Sequence, residues 1–260
     1  MNLWPTVQAE WLKFRSVRST PYTLAVTVVL CIGLGALGSW AERSHWPKAS
    51  LQEHLAFDPV AISLLGFFFA PLAVGVVGVL VISSEYSSGS IRSTLAAQPR
   101  RTAVLLAKSI VLFAATLVVG EICSVASFLV GQSILRGVTP TASLSTPSVL
   151  RAVLIAGLSL ALLALLAMGI ATMLRHTAGA IAVYVSALLV LLIIVSALPS
   201  DWSARILKYL PEILVATMRS TTAAGTSAQL FSPWVSTLVL AAYTLGALIL
   251  GGVLLARRDA

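Results

Sequence analysis

Ser83-Ser-Glu-Tyr-Ser-Ser-Gly-Ser-Ile-Arg-Ser-Thr-Leu-Ala-Ala-Gln-Pro-Arg-Arg101 is a polar insert between two long apolar runs, and its reading decides the fold. It carries an acid, an aromatic, a glycine and three arginines in a chain that is 58% hydrophobic and only 10% charged. Backbone and side chains of this polarity have no place in hydrocarbon, where each unsatisfied polar group costs several kcal/mol. The insert therefore faces water at one surface of a membrane, on a short element that a soluble partner can hold.

Working outward, apolar runs long enough to cross a bilayer recur along the chain. Six spans are expected, at about Pro21–Gly38, Val60–Ser83, Ala103–Gly131, Arg151–Leu174, Ala178–Leu198 and Trp234–Ala256. The fold class is thus all-α and integral to the membrane. The chain divides into a leader, residues 1–20, and a six-span body, residues 21–260. The first apolar run is longer than the core of a signal peptide, so it is read as a retained span.

The net charge of +8 is distributed as a topology signal, not as a nucleic-acid surface. The N-terminus, the loops after spans two and four, and the C-terminus hold ten of the seventeen basic residues: Lys13, Arg15, Arg18, Arg92, Arg100, Arg101, Lys108, Arg175, Arg257 and Arg258. That set is denser and less diluted by acids than the opposite one, which places both termini in the cytoplasm. Cys31 and Cys123 fall inside apolar runs and read as small buried hydrophobes.

Two further segments are expected to be helical without spanning. Val7, Trp11, Phe14 and Val17 recur at steps of three and four, with Lys13, Arg15 and Arg18 off that stripe. This is the pattern of an amphipathic helix on the membrane surface, ended by Pro21. Between Pro199 and Pro233, at about residues 200–232, Trp202, Ile206, Tyr209 and Leu210 are followed by Pro211 and the short apolar run Ile213–Met218. Elements this short are either re-entrant or lie flat on the opposite surface.

Chemistry is sparse. None of the four lysines follows a glycine, so there is no phosphate-cradling Gly-Lys-Ser/Thr loop. The three histidines form no His-Glu-x-x-His pair, and none lies inside a span to serve an intramembrane serine such as Ser159. No metal site, bound cofactor or catalytic centre is expected. Glu121, past the middle of span three among Val118, Val119, Ile122 and Val125, is the acid inside an apolar run. It either lines a pathway or accepts an interhelical hydrogen bond, with Ser159 as the candidate donor.

In the insert, the serines are expected to cap a short helix at about 83–98 and Glu85 to occupy its first turn. Gly89 gives the bend and Pro99 the end. A loop needed only for charge does not require Tyr86, Ile91 and Leu95. The run Glu85-Tyr86-x-x-Gly89-Ser90-Ile91-Arg92-x-x-Leu95, followed by Pro99-Arg100, resembles the hallmark of bacterial ATP-binding-cassette type 2 (ABC-2) permeases. The family form is Glu-Tyr/Phe-x-x-Gly-Thr-Ile/Leu-Arg/Lys, and Ser90 here stands for its Thr. The leader Glu10-Trp-Leu-Lys-Phe-Arg-Ser-Val-Arg-Ser19 is similar to the family's connecting helix.

The resemblance implies a permease subunit in a bacterial cell membrane, without its own nucleotide site. ATP and Mg would be bound by two copies of a separate ATPase, and a second permease, identical or related, would complete the pathway. The insert would be the coupling helix, with Glu85 and Arg92 as rim ion pairs, Tyr86, Ile91 and Leu95 as apolar anchors and Gly89 as its bend. Trp11, Phe14, Arg15 and Arg18 would hold the connecting helix to lipid. Export of a hydrophobic or amphipathic compound (antibiotic, peptide or lipid) fits spans this poor in polar groups. The alternative is a membrane scaffold or sensor paired with an ATPase; cargo-stimulated ATP hydrolysis separates the two.

Overall fold

The computed structural model describes residues 3–98, 100–221 and 230–257, apart from the side chains of Leu95 and Ala97. Among these residues every regular element is helical, and six helices are long and apolar enough to cross a membrane. In chain order the helices are α1 (Trp4–Ser16), α2 (Ser19–His45), α3 (Leu51–Ala56), α4 (Pro59–Ser63), α5 (Ala70–Ser87), α6 (Ile91–Ala97) and α7 (Arg101–Leu135). They continue as α8 (Pro147–Leu174), α9 (Thr177–Val185), α10 (Leu191–Ser196), α11 (Ser200–Leu207), α12 (Pro211–Arg219) and α13 (Pro233–Arg257). A π-helical turn, Ser186–Val190, joins α9 to α10 as one span.

The bundle is built around α8, which packs against α5, α7 and α13. In its most apolar stretch 78% of residues are buried, against 22% in the first and fifth spans. The central helix thus faces protein all round, while α2 and α9–α10 turn most of their surface outward from the bundle. Glycines permit the closest crossings. A Cβ on Gly120 would lie 2.6 Å from the carbonyl oxygen of Gly157, so α7 and α8 meet backbone to backbone there.

Three expectations are corrected by the structure, and one pair of alternatives is resolved. Span two does not run unbroken from Val60. Asp58 caps α4 by accepting from the amides of Val60 and Ala61, a 3-10 turn follows at Leu65–Phe68, and the crossing helix starts only at Ala70. Pro71 enforces that restart, because it lacks an N–H and cannot sit within a continuous helix. At the break, Gly66 lies against the carbonyl oxygens of Leu30 and Cys31, where a side chain has no room. Pro21 likewise does not end α1. The chain turns at Val17, which is extended, and Pro21 sits in the first turn of α2, where its missing N–H has no intrahelical partner to lose.

The third correction concerns the insert. Ser83 to Ser87 belong to α5, and the α6 cap residue Ser90 makes no side-chain capping bond. Glu85 therefore stands in the last turn of a spanning helix, not in the first turn of a short one. The bend falls at Gly89, whose φ of +73° is a conformation that favours glycine. Pro99 lies outside the described residues.

The structure also bears on the two readings of the segment before the last span. The Tyr243 hydroxyl donates to the carbonyl of Tyr209 at 3.2 Å, and Tyr243 lies ten residues, about 15 Å, along α13 from Pro233. Farther along α12, Thr217 hydrogen-bonds Ser236 in the first turn of α13, and Arg151 at the start of α8 donates to the carbonyls of Met218 and Ser220. So α12 climbs from mid-bundle to the bundle end, antiparallel to α13. The segment is a re-entrant hairpin with its tip at Tyr209–Pro211. Residues 222–229 lie outside the described part.

Candidate functional site

Four charged side chains converge where α1, α5, α6 and α7 meet. Lys108, seven residues into α7 and 2% exposed, donates to Glu10 Oε2 at 2.6 Å, to Glu85 Oε1 at 2.8 Å and to the Val81 carbonyl at 3.4 Å. Lys13 donates to Glu10 Oε1 at 3.2 Å, to Glu85 Oε1 at 3.1 Å and to Thr94 Oγ1 at 3.0 Å. Two acids and two bases cancel in charge, and all six ammonium N–H bonds are satisfied. Burial works against the charge on Lys13. Its hydrogen bond to Glu85 and the charges of Glu10 and Glu85 more than offset it, and its ammonium is held above the ordinary lysine range.

The local sequence explains the convergence. Glu10, Lys13 and Phe14 fall three and four apart and share one face of α1, and Glu10 and Phe14 are its two buried residues. Glu85 reaches the same point from α5, and Thr94 reaches it from α6 beyond the Gly89 bend. The short helix is thereby tied to α1 through Lys13, and through Glu85 and Lys108 to α7. Gln98 adds a second tie, donating to Thr6 of α1 at 3.2 Å.

This geometry reassigns several residues expected at a docking surface. Glu85 is 8% exposed and spent on two lysines, so it cannot serve as a rim ion pair. Tyr86 turns inward, with Arg175 of the α8–α9 turn stacked 5.2 Å from its ring centre, and Ile91 is 3% exposed. The exposed face of the insert consists of Ser87–Ser90, Arg92, Ser93, Ala96 and Arg100. Arg92 and Gly89 are the expected residues found on it, and the Leu95 side chain lies outside the description. On the leader, Trp11, Arg15 and Arg18 are exposed, while Phe14 faces the protein, and Arg18 caps α2 instead of lying on α1. The expected stripe of Trp11 with Phe14 is thus split between surface and core.

Glu121 lies against the α7–α8 crossing: a Cβ on Gly157 would be 2.6 Å from its carboxyl carbon. Ser159 is not its partner, because that hydroxyl donates to Ala156 O at 2.7 Å within α8. The Glu121 Oε2 atom makes no hydrogen bond.

Sequence reasoning missed Glu10, Lys108 and Glu212. Lys108 had been counted only as a topology charge, yet a lysine seven residues inside an apolar helix requires an acid beside it. Glu212 is 2% exposed in the first turn of α12, near the hairpin tip, with neither carboxyl oxygen hydrogen-bonded. Arg219 lies two turns along the same helix. The Arg219 guanidinium itself donates to Leu64 O at 2.9 Å and Val215 O at 3.3 Å.

No curated protein matches this chain. A model of a protein family, described as ABC-2 family transporter protein, matches residues 6–191. The match runs from α1 to the start of α10, taking in the charge cluster, the insert and five of the six apolar helices, so this membrane protein belongs to the ABC-2 transporter family.

Proposed function

We propose that the chain is the permease subunit of an ATP-driven exporter of hydrophobic or amphipathic compounds, powered by a separate ATPase docked on the insert. The carrying observation is mechanical: a short exposed helix is hydrogen-bonded, through Thr94 and Gln98, to α1, whose Glu10 and Lys13 belong to a buried ion-pair cluster with α5 and α7. A push on α6 then reaches α1 through those hydrogen bonds, and α1, α5 and α7 move together, since separating any of the three strands a buried charge. In this reading Arg92 and the serine-rich bend meet the ATPase, while Glu85 and Tyr86 act behind that surface. The basic ends of the spans support a reading in which the termini and the insert face the cytoplasm of a bacterial cell. ATP and Mg belong to the ATPase, present in two copies, and a second permease, identical or related, faces α2 and α9–α10.

The test is co-reconstitution with the cognate ATPase. Arg92→Ala should lower permease-stimulated ATP hydrolysis roughly fivefold to thirtyfold, as for a docking hot spot, with membrane insertion unchanged. Unaltered stimulation would overturn the docking assignment. Stimulation that never responds to any cargo would favour a scaffold or sensor over a transporter.

A further inference from the structure

With Phe14 packed inward, α1 presents a different face to its surroundings from the stripe expected. Trp4, Gln8, Trp11, Leu12 and Arg15 are exposed. At about 100° per residue, Trp4, Gln8, Trp11 and Arg15 fall in one line along the helix, with Leu12 beside it. The acid of α1 is absent from that line, because Glu10 turns the other way onto Lys13 and Lys108. Arg15 and Arg18 are exposed, and among the described residues neither makes an ion pair. The outward face thus joins aromatic and apolar surface to positive charge that no acid beside it cancels.

Two distances set the depth of this face. Tyr22 and Trp40 are exposed on the same side of α2, about 27 Å apart along its axis, close to the ~30 Å of the hydrocarbon core. Aromatic side chains so spaced mark the two membrane interfaces. The turn at Val17, little more than one helical turn before Tyr22, then lies among headgroups. Independently, Glu10 meets Lys108 about 10 Å along α7 from Arg101. With 35 residues, α7 is about 52 Å long, roughly 20 Å more than the hydrocarbon needs. Shared between its two ends, that excess puts Lys108, and α1 beside it, at the boundary of headgroups and hydrocarbon.

We propose that the outward face of α1 binds acidic phospholipids in preference to zwitterionic ones. Arg15 and Arg18 meet the headgroups, Trp4, Trp11 and Tyr22 sit at the level of the interface, and Leu12 enters the acyl chains. A zwitterionic headgroup brings its own cation to the arginines, whereas an acidic one brings net negative charge. That difference raises the local share of acidic lipid roughly fivefold per arginine. The surface acts on lipid alone, so it stands apart from the permease reading.

Tryptophan quenching on the full chain in phosphatidylcholine nanodiscs tests this. The probes are phosphatidylglycerol and phosphatidylcholine, each brominated near the top of the acyl chains and added in rising proportion. The signal is the part of the quenching that Trp4→Phe with Trp11→Phe removes. Brominated phosphatidylcholine exchanges evenly with the ordinary lipid and should reach half its full effect at about equal proportions. Brominated phosphatidylglycerol should reach it at a roughly fivefold lower proportion or less. Arg15→Gln with Arg18→Gln should bring the two curves together, with helix content and quenching by brominated phosphatidylcholine unchanged. Arg15→Lys with Arg18→Lys should keep them apart. Superimposed curves in the parent, or a preference that survives the glutamine pair, would overturn the proposal. So would quenching that the phenylalanine pair leaves unaltered, which would mean that a soluble partner or a second copy covers this face in place of lipid. None of these readouts involves ATP, so their failure leaves the permease reading standing, and failure of the Arg92 test leaves this one standing.

Discussion

At the α6 end of the bundle two carboxylates are held by two ammonium groups; at the hairpin end Glu212 is as deeply buried and its carboxyl has no hydrogen bond. The same element of chemistry, a buried acid, is used in opposite ways. The paired acids bind three helices together, and removing any member would strand a buried partner. The unpaired one is held by the packing around it rather than holding anything itself.

The largest expected effect breaks the joint. Lys108→Met leaves the Glu10 and Glu85 carboxylates buried with Lys13 alone, and should destabilise the chain by about 3–5 kcal/mol. Denaturant unfolding in detergent checks it, with helix content as the signal. Exchanging the partners, Glu10→Lys with Lys108→Glu, should recover part of that loss, and a double-mutant cycle measures how much. Loss below about 1 kcal/mol in the single variant would mean the cluster is surface-like, and the contrast with Glu212 would vanish.

The counterpart is the response of the hairpin. Glu212 is 2% exposed and neither carboxyl oxygen is hydrogen-bonded. Glu212→Gln keeps the shape and removes the possibility of charge, and it should cost nothing in unfolding stability. A loss of several kcal/mol would place a counter-charge at Glu212 and make both ends alike.

A smaller effect comes from the third acid, midway in both position and burial. Gly157→Ala puts a methyl group 2.6 Å from the Glu121 carboxyl carbon and crowds the α7–α8 crossing, at about 1–3 kcal/mol. Glu121→Gln keeps the shape and removes the charge. If Glu121 behaves like Glu212, the amide costs nothing in stability, and any loss of transport then reports a pathway role.

How much of this was legible in the sequence follows from what each residue must satisfy. Six spans were readable because a backbone in lipid has to close its own hydrogen bonds, and long apolar runs have few other solutions. The re-entrant hairpin was half readable: Pro211 and the short run after it excluded a span, but its depth depends on a hydroxyl of Tyr243 that sequence cannot aim. Inner surfaces were least legible. Glu85, Tyr86 and Ile91 were expected on the docking face because they interrupt a polar stretch, and that same apolar and ionic character is what folds them inward once Lys108 and Arg175 are near. Lys108 carried a readable signal of its own, a cation seven residues inside an apolar run, which demanded the acids that Glu10 and Glu85 provide.

The smallest expected effect separates docking from folding. Arg92 is exposed on α6, and among the described residues it makes no ion pair. Arg92→Ala should change unfolding stability by no more than about 0.5 kcal/mol, the ordinary range for a surface substitution. Glu85→Ala, seven positions earlier in the same motif, should lose several kcal/mol, because it strips acceptors from two lysines at once. Measured side by side, the pair divides a single sequence hallmark into an exposed residue that the fold does not need and a buried one that it does. Equal stability losses in the two variants would erase that division and return Glu85 to the surface.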